Sequence, residues 1–215
     1  MSSNNPYGEI QEYTVGDSKT LKIGVIGDTQ LISLSTDNEF YIKFSKNFKK
    51  TLEILKENKI DVLIIDGDIT NAGYPEAYDN FLTQFNDVYG DIKNENAPIL
   101  NLIMGNHDYW SFKGYELSNK NNEERQKLFE KKTKEKPYSH KVINGYHFIN
   151  WSCDNASLEK PIVNCSWFEK QIELAKSDDN KPIFVTTHFP PKNTVYGSEE
   201  WGTDTLNECF EKYPQ

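Results

Sequence analysis

The chain is 215 residues long, with 36% hydrophobic residues and a formal net charge of −9. That length holds one domain of the larger kind with ample core material. The acidic balance excludes a nucleic-acid backbone or an anionic membrane as the main partner, because no surplus of cations exists to displace counterions. No apolar run reaches about 18 residues, so no membrane-spanning helix is expected.

Residues 1–20 are polar and turn-rich and read as an extended lead-in, and residues 21–215 read as one domain. The N-terminus lacks the apolar centre of a signal peptide, which points to the cytoplasm; secretion after removal of a leader is the alternative. The first buried strand spans 21–27, and a loop at 29–37 leads to a helix near 38–58. Phe40, Phe44, Phe48, Leu52 and Leu55 recur there at helical steps and define one face. The run 61–66 shows no polar alternation, as expected of a strand covered by helices on both faces. A helix near 75–89 carries Pro75 in its first turn and Tyr78, Phe81, Leu82 and Phe85 on one face. A third strand follows at 99–104.

Residues 111–137 read as a charged excursion beside the strand ends, with a helix near 121–135 whose Lys131–Lys136 run is a solvated face. Asn144-Gly145, between two alternating runs, is a type I′ hairpin signal, so the sheet content is mixed. His140 and His147 on that hairpin read as structural or surface residues. Ser166 and Glu169 suggest a capping box for a helix near 167–177, with Phe168, Ile172 and Ala175 inward. A strand at 182–187, a loop forced by Pro190-Pro191 and a helix near 203–212 complete the chain. Cys153, Cys165 and Cys209 have no CxxC spacing, and their odd number argues against a closed disulfide framework, although a Cys153–Cys165 pair is conceivable. The glycosylation sequons at Asn150, Asn155 and Asn164 are accounted for by chance in so Asn-rich a chain.

Chemistry gathers at four strand ends. The apolar runs lead into Gly27-Asp28-Thr29-Gln30, Asp66-Gly67-Asp68, Gly105-Asn106-His107-Asp108 and His188. In open α/β sheets, ligands bind outside the carboxyl ends of the strands. Buried carboxylates are unfavourable unless they meet a cation. Two Asp residues with His and amide oxygens suit a divalent first-row metal such as Mn, Fe or Zn. With two such ions, Asp68 on the central strand is the natural bridge, and a shared hydroxide would attack in line. His107 is either a proton donor to a leaving oxygen or a cation facing a phosphate, with Asp108 fixing its tautomer. Asp66 reads as a turn or supporting group, and Asp154 and Asp204 have weak claims. Tyr109, Trp110, Phe112 and Phe189 adjoin these motifs and could stack on a base, though packing explains them as well. No P-loop, GxGxxG, GxSxG or HExxH occurs, which disfavours Walker-loop hydrolysis, Rossmann redox chemistry and serine hydrolysis.

In this order, the GDTQ, GD, GNHD and Thr187-His188 blocks resemble the calcineurin-like metallophosphoesterases, over about residues 21–190. The resemblance implies a four-layer α/β/β/α sandwich of mixed β-sheets flanked by helices, and a dinuclear metal site. It implies that Asp28 and Gln30 bind the first ion, Asp68 bridges both, and Asn106 and His188 bind the second. His107 would then assist the leaving group, with Asp108 orienting it. Two departures stand out. Gln30 occupies a position where the family usually has His, and the family's Gly-His-x-His motif is absent, so the fold is expected to be incomplete at its C-terminus. The expected activity is hydrolysis of a small phosphate monoester or diester, weak or lost in this chain. The alternative is a non-catalytic scaffold of the same fold for protein–protein interaction.

Overall fold

Two sheets face each other, and the apolar runs fall where one or both of their faces are covered. A computed structural model describes residues 6–16, 20–92, 94–110, 122–155, 163–176 and 181–213. Phe112 lies outside them, as do residues 111–121 of the expected excursion. The first sheet is parallel, in the order β2 (Ile23–Ile26), β3 (Val62–Ile65), β4 (Ile99–Leu102). The second is mixed, in the order β1 (Gln11–Tyr13), β5 (Tyr138–Ile143), β6 (Tyr146–Trp151), β7 (Ile183–Thr187). Strands β5 and β6 are the expected hairpin, with Asn144 and Gly145 at φ 51° and 78° as a type I′ turn requires.

Helices α1 (Glu39–Glu57) and α2 (Pro75–Tyr89) pack on the first sheet, and α4 (Cys165–Ala175) with α6 (Asp204–Phe210) on the second. Helix α3 (Asn122–Thr133) lies against α2, and α5 (Ser198–Trp201) is a single turn. These are the layers of the α/β/β/α sandwich. Strand β3 shows how the layers arise. Leu63 and Ile65 belong to the core shared with the helices, whereas Val62 and Ile64 pack with Ile143 and Phe148 of the second sheet. The run is fully apolar because one face meets helices and the other meets a sheet, not because helices cover both.

Several local expectations change. The lead-in contains β1, an edge strand paired in parallel with β5. On α1, Phe48 and Leu52 are buried, but Phe40, in the first turn, is mostly exposed. Helix α4 is capped by Asn164, whose side chain accepts from Trp167 N–H at 3.0 Å. Glu169, assigned to a capping box with Ser166, pairs with Lys212 instead. Cys165 and Cys209 form a disulfide that ties α4 to α6, and Cys153 is the buried free thiol, so the conceivable Cys153–Cys165 pair does not form. His140 and His147 are buried beneath α4. His140 Nε2 lies 2.7 Å from His147 Nδ1, and its Nδ1 lies 3.0 Å from Gln171 Oε1. Among the described residues no helix is long and apolar enough to cross a membrane.

Candidate metal centre

Parallel register brings the first two acidic loops together. Ile26 pairs with Ile65, so the chain leaves β2 and β3 side by side. The pairing continues into the loops: Gln30 N–H donates to the Asp68 carbonyl at 2.8 Å, Leu31 N–H to the Ile69 carbonyl at 3.0 Å, and the Thr29 hydroxyl to the same carbonyl at 2.8 Å. Asp28, Gln30 and Asp68 adopt left-handed backbone, at φ 51°, 43° and 50°. Non-glycine residues held there carry conformational strain, and such strain clusters at functional sites.

Strand β4 supplies the third loop. Asp68 Oδ1 accepts from His107 N–H at 2.9 Å. The fourth group crosses from the second sheet: His188, just beyond β7, reaches over the first sheet because glycine leaves room for it. A Cβ on Gly67 would lie 2.6 Å from His188 Nδ1, and one on Gly105 would lie 2.2 Å from Asp68 Oδ1. Ligating atoms of Asp28, Asp68 and His188 all lie within 4.8 Å of one another.

The donor set fits a cation. His188 Nδ1 is 2.9 Å from the Asp66 carbonyl, an obligate acceptor, so that nitrogen carries the proton. Its Nε2 then presents a lone pair, 2.9 Å from Asn106 Oδ1 and 3.3 Å from Asp68 Oδ1. Acceptors are aimed at acceptors. One proton on Nε2 would serve part of this set; a divalent ion serves all of it. Burial raises the Asp68 carboxyl to about 6, although His188 and the His107 N–H oppose the shift. A cation supplies what the protein lacks there, since a buried carboxylate is kept charged by nearby positive charge or by many donors, and Asp68 has few of either.

Gln30 is present but turned: its Nε2 donates to Asp68 Oδ2 at 3.4 Å. Asp66 Oδ1 is buried with no hydrogen-bond partner among the described residues, and burial raises its pKa. Asp204 is outside the cluster, paired with Lys192 at 3.3 Å, and Asp154 is bonded by Gln126 at 3.4 Å.

His107 and Asp108 divide differently from the expectation. The Asp108 carboxylate accepts from Ile69 N–H at 3.2 Å, Thr70 N–H at 3.0 Å, the Thr70 hydroxyl at 2.8 Å, Tyr78 OH at 3.2 Å and Gly105 N–H at 3.0 Å. It clamps the loops after β3 and β4 together. The His107 ring is oriented instead by the Asn71 carbonyl, 3.0 Å from Nδ1. That leaves Nε2 as the free position of the ring, 3.8 Å from Asp68 Oδ2. Burial lowers the His107 pKa, against the pull of the Asn71 carbonyl and Asp108. Backbone acceptors such as Asn71 O carry no signature in a sequence.

These residues line a cavity of about 330 Å³ together with Trp110, Phe189, Pro190 and Trp201. Trp201 carries no motif and lies far along the chain from the acidic loops, so no sequence signal marked it.

Comparison with known proteins bears on the fold and the family. A dimetal phosphatase from Danio rerio has a similar fold, with a TM-score of 0.57 at 10% identity, over 89% of this chain and 77% of that one. Among curated proteins none matches the sequence significantly. The family described as calcineurin-like phosphoesterase matches residues 21–215. With acidic, amide and imidazole groups delivered by two facing sheets to one point, and with that match across nearly its whole length, the chain belongs to the calcineurin-like phosphoesterase family.

Proposed function

We propose that this protein is a metal-dependent hydrolase of a small phosphate ester, acting at the cluster of Asp28, Asp68, Asn106 and His188. The single observation that carries this reading is the convergence of acceptor atoms at His188 Nε2. Family membership supports the reaction class. When bound, divalent ions supply Lewis-acid charge to the phosphoryl oxygens and bring the pKa of a bound water close to neutral.

The chain's own groups take the remaining roles. Asp68, on the central strand, faces both halves of the site, with Asp28 and Gln30 on one side and Asn106 and His188 on the other. The Gln30 amide must rotate before its oxygen can serve as a ligand, because its nitrogen now points to Asp68. The mixed oxygen and nitrogen donors suit Mn, Fe or Zn. His107, with Nδ1–H held by Asn71, can give a proton from Nε2 to the departing oxygen when its ring is doubly protonated. The cavity admits a small substrate. The Cys165–Cys209 disulfide favours an oxidising compartment, and so the secreted alternative over the cytoplasmic one.

The test is hydrolysis of 4-nitrophenyl phosphate and its bis-ester with added Mn²⁺. Turnover well above an Asp68→Ala control is expected; turnover equal to that control overturns the reading. The turned Gln30 amide favours, as a second reading, the non-catalytic scaffold. Calorimetric titration separates the two, since tight binding of two ions counts against the scaffold.

A further inference from the structure

Beside its polar cluster the cavity has an aromatic wall. Apart from the cluster, Gln30 and His107, the lining residues are Trp110, Phe189, Pro190 and Trp201. Phe189 is buried and serves the core, but Trp201 is 59% exposed. Trp110 lies tilted against the ring of His107, with centroids 3.6 Å apart and the planes at 39°. An indole left open beside a polar cleft is an apolar surface awaiting cover.

Trp201 is held there by a closed loop. After His188 the chain turns at Pro190-Pro191, runs out through the exposed Val195 and Tyr196, and returns through Thr203. Thr203 N–H donates to the Pro190 carbonyl at 3.1 Å, and Thr203 bridges Pro191, which closes the loop at its base. Inside it, Ser198 Oγ accepts from the N–H groups of Thr194 at 2.9 Å and Val195 at 3.0 Å, and Gly202 N–H donates to the Ser198 carbonyl at 2.9 Å. The residue two places after the candidate ligand His188 is thereby joined to the residue two places after Trp201. The distance between ligand and indole is set by the loop base and not by the exposed tip.

Charge narrows the choice of ligand. Among the described lining residues there is no Lys or Arg. Away from the proposed ions, a second phosphate or a carboxylate on the substrate would meet acidic and aromatic groups with no described Lys or Arg to receive it. A flat, uncharged ring meets indole and proline surfaces that match it. A volume of about 330 Å³ holds a phosphoryl group and a ring system of modest size.

We infer that the ester's alcohol portion is an uncharged, planar aromatic group stacked on Trp201, an inference that rests on the phosphoesterase reading above. In the reaction, water oxygen forms the new bond to phosphorus and the P–O bond to the aromatic alcohol breaks. One proton from that water ends on the departing oxygen, and the products are inorganic phosphate and the free alcohol. Trp201 is a specificity-determining residue, remote in sequence from the acidic loops.

The experiment compares 2-naphthylmethyl phosphate with ethyl phosphate, both esters of primary alcohols, under added Mn²⁺. The wild type is expected to favour the naphthylmethyl ester by about tenfold in kcat/KM, the order that aromatic stacking with burial supplies. Trp201→Ala should remove most of that ratio, Trp201→Phe should keep much of it, and Tyr196→Ala, outside the cavity lining, should leave it unchanged. A ratio near one in the wild type, or one that survives Trp201→Ala, overturns the inference. If neither ester is hydrolysed above the Asp68→Ala control, the phosphoesterase reading fails on its own. Calorimetry then decides the pocket: tighter binding of 2-naphthylmethylphosphonate than of methylphosphonate, lost in Trp201→Ala, supports it, and equal binding overturns it.

Discussion

Adjacent residues His107 and Asp108 are held in different settings, and substitution should separate them. Asp108 is fully buried and gathers five donors from three parts of the chain. Burial raises its carboxyl to about 6 even with those bonds, so it is held where a carboxylate is poorly solvated. Asp108→Ala strands several buried N–H and O–H groups, and a loss of about 3 kcal/mol or more is expected in urea unfolding, before any question of catalysis arises. His107→Ala should leave the unfolding midpoint near that of the wild type. Its turnover of an alkyl phosphate should fall by about a hundredfold or more, with a smaller loss for 4-nitrophenyl phosphate, whose leaving group needs no proton. Equal destabilisation by both variants would contradict this division. Gly105 gives a second contrast. A Cβ there would lie 2.2 Å from Asp68 Oδ1 and 2.8 Å from His188 Cε1, so Gly105→Ala should weaken Mn²⁺ binding in calorimetry while the helices stay folded by circular dichroism.

At the scale of elements, the second sheet is secured by α4, and α4 by α6. Trp151 of β6 stacks on Phe168 of α4 with centroids 4.4 Å apart, and Phe210 of α6 meets the edge of Phe168 at 5.3 Å. The Cys165–Cys209 bond closes a span of 44 residues across the same contact. Loop-closure entropy for a span of that size gives about 4 kcal/mol, so reduction should lower stability by that order. Thiol labelling of the denatured, unreduced protein should find one reactive cysteine, Cys153; three would refute the pairing. Asp154, near the start of α3 through the Asn122 and Gln126 side chains, supplies a pH test. Burial raises its pKa, so its neutral form is the better tolerated in the fold. The stability this allows is full below the unfolded value of about 3.9 and is lost as pH rises through the raised folded value. Asp154→Asn should therefore be more stable than the wild type at pH 7.5, with the difference closing toward pH 4 in urea unfolding.

For the whole molecule, the legible parts were those with local causes. The types of β2 to β7 and of the helices other than the single turn α5 followed from apolar runs, periodicity and capping signals, and the hairpin from Asn144-Gly145, whereas β1 and α5 did not. The candidate ligands followed from polar groups placed just after apolar runs, since strand ends in such folds open onto ligands. What lay beyond the sequence depends on which distant segments meet. It could not show that β1 finds the edge of β5, that Cys165 reaches Cys209 rather than Cys153, or that His140, His147 and Gln171 are buried together. Nor could it show that a backbone carbonyl, Asn71 O, holds the ring of His107 while Asp108 clamps the loops. Trp201 is the sharpest case. Its neighbours in sequence carry no motif, and only the base pairing of Pro190 and Pro191 with Thr203 sets it beside the site. Residue type and spacing determined which elements form and which side chains can bind a cation, because those depend on short-range geometry. The packing of one sheet on the other decided which of those side chains meet and what surface stands beside them, because contacts across the fold are written in no single stretch of chain.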